Sequence, residues 1–131
     1  MINTLKVFFA VAVPMLVLDA IWLTTMNKPF YSKYLASIMS ANPVWIAAGI
    51  FYVIYAIGVA VLIVSPALAG AIPWYEVALR GALFGLVAYA TYDLTNHATV
   101  TNWPMIVTVV DMIWGTVLTS VVSITAYFIL K

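Results

Sequence analysis

Apolar residues fall into four long segments, running from about Leu5 to Thr25, Val44 to Val64, Tyr75 to Leu94 and Met105 to Leu130. Each holds roughly 20 residues or more, and a helix of that length, rising ~1.5 Å per residue, crosses the ~30 Å hydrocarbon layer of a bilayer. A membrane strand would instead show ~10 residues of strict alternation. Runs such as Ala56-Ile57-Gly58-Val59-Ala60-Val61-Leu62-Ile63-Val64 do not alternate. The pattern therefore predicts an all-α polytopic membrane protein, a bundle of four transmembrane helices forming a single domain over residues 1–131. Lys6 gives the first segment a weakly charged start, as in a signal peptide. That segment is long, however, lacks a clear small-residue cleavage site and contains Asp19 near its far end. It reads as a retained helix.

Polar breaks between the segments carry turn chemistry. Asn27-Lys28-Pro29 is expected to end the first helix, and Asn42-Pro43 to start the second with Pro near its first position. Ser65-Pro66 and Ile72-Pro73 bracket an expected short turn from Ala67 to Ala71, and Asn102-Trp103-Pro104 opens the fourth helix. Trp45, Trp74 and Trp103 sit at segment ends, where interfacial aromatic belts form. In the longest connector, Pro29 to Ser40, Phe30, Tyr34 and Ile38 fall four apart, as do Tyr31, Leu35 and Met39. This stripe predicts a short interfacial helix between the first two spans. An extension of the neighbouring helices fits the spacing equally well.

Composition narrows the class further. Apolar types make up 66% of the chain and charged types 7%, against about a quarter charged in soluble domains. The mean hydropathy of +1.14 agrees. A net charge of +1 supplies no basic stripe, so nucleic acid is not an expected partner, whereas the lipid bilayer is. Without cysteine there is neither a disulfide framework nor thiolate chemistry. With four spans both termini share a side, which carries Lys6, Arg80 and Lys131 against Lys28 and Lys33 on the other. The positive-inside rule then places both termini in the cytoplasm.

Three aspartates fall inside the spans, where each charge costs at least ~2.5–3.5 kcal/mol on insertion scales. Helix direction puts Asp19, Asp93 and Asp111 in one leaflet, opposite the termini, and His97 just beyond the third span on that side. This points to one polar pocket. Asp93, Asn96 and His97 are neighbours if the helix continues through them. An Asp93–His97 pair would favour the imidazolium form. These two are also the candidate ligands for a hard or borderline divalent cation. Asp19-Ala20-Ile21-Trp22-Leu23-Thr24 is echoed by Asp111-Met112-Ile113-Trp114-Gly115-Thr116, which predicts two facing Asp/Trp walls of one cavity. The candidate pocket is thus Asp19, Trp22, Asp93, Asn96, His97, Asp111 and Trp114. The same aspartates serve equally as interhelical glue, each accepting a hydrogen bond from an indole, a hydroxyl or a helix end. Gly81 and Gly85 form a small-xxx-small pair suited to close helix packing. Pro14 is expected to kink the first helix one turn before Asp19.

Other chemistry lacks its residues. The lysines lie at span ends or in connectors, so retinal attachment is not expected. One histidine cannot supply paired axial ligands to haem. There is no nucleophile elbow and no phosphate-cradling loop, and no catalytic residue is assigned.

Leu18-Asp19-Ala20-Ile21-Trp22-Leu23, Tyr92-Asp93-Leu94-Thr95-Asn96-His97-Ala98-Thr99, Trp103-Pro104 and Val110-Asp111-Met112-Ile113-Trp114-Gly115-Thr116 resemble a family of small bacterial membrane proteins, domain of unknown function 2177. The likeness covers nearly the whole chain. It implies four helices and a bacterial inner membrane, and it implies no particular activity. In size and helix count the chain is also similar to small multidrug exporters. Those carry a Glu near the middle of the first helix, whereas this chain has Asp19, off centre, and two further aspartates.

Three functions fit these residues. The pocket could bind or transport a small solute or cation, which with so few helices predicts a homo-oligomer. Asp and His could do acid–base work on a lipid or isoprenoid-like substrate between Trp22 and Trp114. The chain could instead be a structural partner of another membrane protein.

Overall fold

The computed structural model describes residues 3–131, and every regular element in that range is helical. In order they are α1 (Thr4–Met26), α2 (Ser32–Leu35), α3 (Trp45–Val59), α4 (Ser65–Gly70), α5 (Trp74–Thr99) and α6 (Met105–Leu130). Short π-helical segments, Asn27–Tyr31 and Ala60–Val64, join α1 to α2 and α3 to α4. Two long helical runs result, Thr4–Leu35 and Trp45–Gly70. These and α6 are long and apolar enough to cross a membrane. α5 is as long as α6 but carries Glu76, Arg80 and Asp93.

Several boundaries differ from the sequence reading. The first run does not stop at Asn27-Lys28-Pro29, and the residues expected to form a separate interfacial helix continue from α1 to Leu35. Pro29 lies inside the first π segment, and Pro66 follows the second at the start of α4. Proline cannot donate to the carbonyl four residues back and its ring crowds it; a widened turn absorbs both problems without ending the helix. The expected turn from Ala67 to Ala71 is therefore mostly helix. The chain reverses only at Ala71, which takes a left-handed conformation (φ 50°) as the C-cap of α4. α5 likewise runs past Leu94 to Thr99, so His97 is helical.

Outside, the molecule is apolar. Large side chains such as Ile46 (77% exposed) and Leu79 (68%) cover the surface of the long helices, as a bilayer requires. Inside, several hydroxyl groups are bonded across helices or back to their own turn. Ser120 donates to the Ala78 carbonyl (2.9 Å), Tyr127 to the Ile72 carbonyl (2.7 Å) and Ser123 to the Thr119 carbonyl (2.7 Å). The closest packing is between antiparallel α5 and α6. A methyl group added at Gly81 would lie within 3 Å of the Thr119 carbonyl and the Ser120 Cα, and one at Gly85 within 3 Å of the Gly115 carbonyl. The backbones approach because these positions have no side chain. α1 packs on α6 and on α3, with Val7, Val11, Met15, Val59, Leu118 and Val122 at the common core.

Candidate functional site

The antiparallel course of α1 against α6 brings the two Asp-x-Ile-Trp-x-Thr motifs face to face. Trp22 and Trp114 stack with ring centroids 4.3 Å apart and planes 6° from parallel. Around that stack the hydrogen bonds cross. Trp114 Nε1 donates to Asp19 Oδ1 at 3.0 Å. Trp22 Nε1 donates to the Tyr31 hydroxyl at 2.9 Å, and that hydroxyl donates to Asp111 Oδ1. Tyr52 of α3 donates to Asp19 Oδ2. Each carboxyl group thus accepts one tyrosine hydroxyl, and each motif's aspartate is tied to the other motif's indole, directly or through Tyr31. The π segment makes this possible. It turns the end of the first run so that Phe30 and Leu35 bury against Val107 of α6, which sets Tyr31 over Asp111.

Asp19, Trp22, Asp111 and Trp114 line one cavity of about 220 Å³, with Tyr31, Tyr52, Tyr89, Tyr92, Trp103 and two leucines, Leu23 and Leu35, completing its wall. A second cavity of about 290 Å³, lined by Phe51, Tyr55 and Ala88, shares Tyr89, Tyr92 and Asp111 with the first. A larger open groove at the other end of the molecule, about 640 Å³, is lined chiefly by apolar residues of α1 and by Ile129 and Leu130. The cavity between the Asp/Trp motifs is where the polar chemistry gathers.

The remaining predicted residues lie beside the cavity. Asp93 is wholly buried, and neither of its carboxyl oxygens has a hydrogen-bond partner. Its backbone carbonyl lies 3.5 Å from Thr108 Oγ1 of α6. The expected pairing of Asp93 with His97 does not form. His97 Nδ1 lies 3.3 Å from Thr108 Oγ1, and that hydroxyl accepts from Trp103 Nε1 at 3.0 Å. α6 brings the Thr108 hydroxyl to the Nδ1 edge of the His97 ring. Asn96 is half-buried on α5 and lines neither cavity. Among the described residues no three His, Asp or Glu side chains are grouped to hold a metal ion. The single salt bridge among them, Arg80 to Glu76 at 3.4 Å, involves none of the aspartates.

A family described as a predicted membrane protein, DUF2177, matches residues 4–128. The chain belongs to this family. No curated protein and no solved structure matches it.

In this DUF2177 member, the tyrosines are what sequence reasoning missed. Local sequence places Tyr31 in an interfacial stripe and Trp103 in an aromatic belt, and it singles out neither Tyr52 nor Tyr89. One signal was available: a tyrosine deep in an apolar span must find a partner for its hydroxyl, and the intramembrane aspartates are the strongest acceptors at hand. Replacing Tyr52 by Phe removes one of the two donors to Asp19. It should lower stability by about 1–3 kcal/mol, read as a lower midpoint of denaturant-induced unfolding in detergent. An unchanged midpoint would mean that this hydroxyl does not support the buried carboxyl.

Proposed function

We propose that this protein binds a small organic cation in the cavity between the two Asp/Trp motifs, as part of a binding or transport function. The observation that carries this reading is a cavity lined by two carboxyl groups, seven aromatic rings and two leucines, with no Lys or Arg paired to the carboxyl groups among the described residues. Aromatic faces and carboxylates together are the surroundings that attract ammonium groups. At about 220 Å³ the cavity is smaller than the ~300 Å³ at the lower end of drug-sized sites, so the ligand is small.

In the topology proposed with it, α5 is a fourth span beside the three apolar runs. α5 matches α6 in length and packs along it from Gly81 against Ser123 to Asp93 beside Thr108. Both termini then face the cytoplasm of a bacterial inner membrane, and the connector from Asn27 to Leu35 rests near the opposite interface. Transport through so few helices calls for a homo-oligomer.

The test is titration of detergent-solubilised protein with tetraethylammonium chloride, followed by tryptophan fluorescence. Trp22 and Trp114 line the cavity, so a saturable change is expected. A purely linear change, the same as with added sodium chloride, would refute the reading. A second reading is favoured by the adjoining cavity, which is walled by Phe51, Tyr55 and Ala88 and ends on Asp111. That shape also suits a lipid or isoprenoid-like tail. On that reading a lipid survives purification, is found by mass spectrometry and blocks the titration.

A further inference from the structure

The two cavities meet at Asp111, Tyr89 and Tyr92, which line both. They differ in what else they offer. The first, about 220 Å³, adds Asp19 and the stacked Trp22 and Trp114. The second, about 290 Å³, adds only Phe51, Tyr55 and Ala88, so Asp111 is its one charged residue. Packing sets the direction of the second cavity. Tyr89 lies against Gly115, one turn further along α6 than Asp111. Tyr55 meets Tyr89 and Phe84 edge-on, with ring centroids 6.4 and 5.3 Å apart. The cavity therefore runs from the Asp111 carboxyl group toward the middle of the long helices. α3 packs on α1 and α5 on α6, and aromatic rings bridge α3 to α5 across this space. At its edge Phe51 is 49% and Tyr92 57% exposed, on the apolar outer surface.

A negative charge at one end, with an apolar slot leading inward from it, matches a ligand that is itself two-ended. Asp111 supplies the charge where the cavities join, and the one salt bridge among the described residues, Arg80 to Glu76, lies elsewhere. A cation held at Asp111 touches the rings of Tyr89 and Tyr92, and whatever is attached to it can continue into the second cavity. An apolar cavity of ~150 Å³ holds benzene. At about 290 Å³ the second cavity has room for one alkyl tail of roughly twice that carbon count. We propose that the two cavities form one site for a single-chain alkylammonium amphiphile, its head against Asp111 in the first cavity and its tail in the second, entering sideways from the bilayer between Phe51 and Tyr92. The small cation of the binding reading is then the headgroup. Moving the tail from bilayer to cavity exchanges one apolar surrounding for another, so the charge at Asp111 is what retains the ligand. Ala88 sets the room for the tail, because it lines the second cavity and not the first.

This inference rests on the cation-binding reading, and one experiment separates the two. The full chain in detergent is loaded with radiolabelled tetraethylammonium, which is then displaced by trimethylammonium salts bearing a methyl, butyl, hexyl or octyl tail. Dialysis against detergent alone fixes the free aqueous concentration of each salt. In wild type each added methylene is expected to strengthen displacement about fourfold, the effect of taking it out of water. In Ala88→Leu the ratio of octyl to methyl affinity is expected to fall about tenfold or more, as loss of two buried methylenes would give. Octyl sulfate, with the same tail and the opposite charge, should displace nothing. Photolabelling of wild type gives a measurement independent of any variant: an octyltrimethylammonium carrying a diazirine at its tail end should mark Phe51, Tyr55 or Ala88. Tetraethylammonium binding with no gain along the series would overturn the amphiphile site and leave the binding reading standing. So would an undiminished gain in folded Ala88→Leu, photolabelling of outward-facing residues alone, or equal displacement by octyl sulfate. Absence of saturable tetraethylammonium binding to wild type would overturn both.

Discussion

Asp111→Asn is expected to weaken tetraethylammonium binding by roughly ten- to a hundredfold, about 1.4–2.8 kcal/mol, while the protein remains folded. Asparagine keeps the shape of the side chain and an oxygen that can still accept from Tyr31, so the crossed bonding of the two Trp motifs survives. What it loses is the charge. Asp111 lines both cavities, so its replacement removes a negative charge from the wall that the ligand meets. Fluorescence titration and circular dichroism on the same preparation check the two halves of the expectation. Wild-type affinity in a folded Asp111→Asn protein would show that the carboxylate does not contact the ligand.

The largest effect on folding is expected at Gly85. Any side chain there meets the Gly115 carbonyl and the Thr119 hydroxyl within 3 Å, and the Gly115 carbonyl is backbone that cannot swing aside. Gly115 is itself constrained, because a Cβ there would run into the Tyr89 ring, a wall of both cavities. Gly85→Leu should therefore force α5 away from α6 and cost about 3 kcal/mol, seen as a lower unfolding midpoint in detergent together with loss of the tetraethylammonium response. Gly49 has nothing within 4 Å of an added Cβ. Gly49→Ala is the matched control and should change stability by no more than about 1 kcal/mol. Equal behaviour of the two variants would mean that the α5–α6 contact does not hold the bundle together.

The elements of this fold were legible wherever apolar length alone decided them. α6 runs from Met105 to Leu130, as its apolar segment and preceding Pro104 predict. The boundaries that moved are those where proline is absorbed by a π turn, at Pro29 and Pro66, or where a polar stretch stays helical, at Thr95 to Thr99. Local sequence shows that a proline is present but not whether a neighbouring helix holds the chain through it.

For the site, the aspartates stood out because charge is conspicuous in an apolar run, and the two Asp-x-Ile-Trp-x-Thr motifs could be compared directly. Their partners were hidden by distance along the chain. Tyr31 reaches Asp111, and Tyr52 reaches Asp19, only because the helices fold back on one another. The separate state of Asp93 was hidden for the same reason. In sequence it is a helical neighbour of His97, and only the packing of α5 on α6 gives His97 to Thr108 and leaves Asp93 buried without a hydrogen-bond partner.

Equilibrium dialysis of the detergent-solubilised wild-type chain against radiolabelled tetraethylammonium tests the central claim most directly, because it counts bound cation without relying on an optical signal. Saturable uptake approaching one cation per chain, reduced in Asp111→Asn, is the predicted result. Uptake that rises linearly without saturation, or that is the same in wild type and Asp111→Asn, would contradict a cation site between the two Asp/Trp walls.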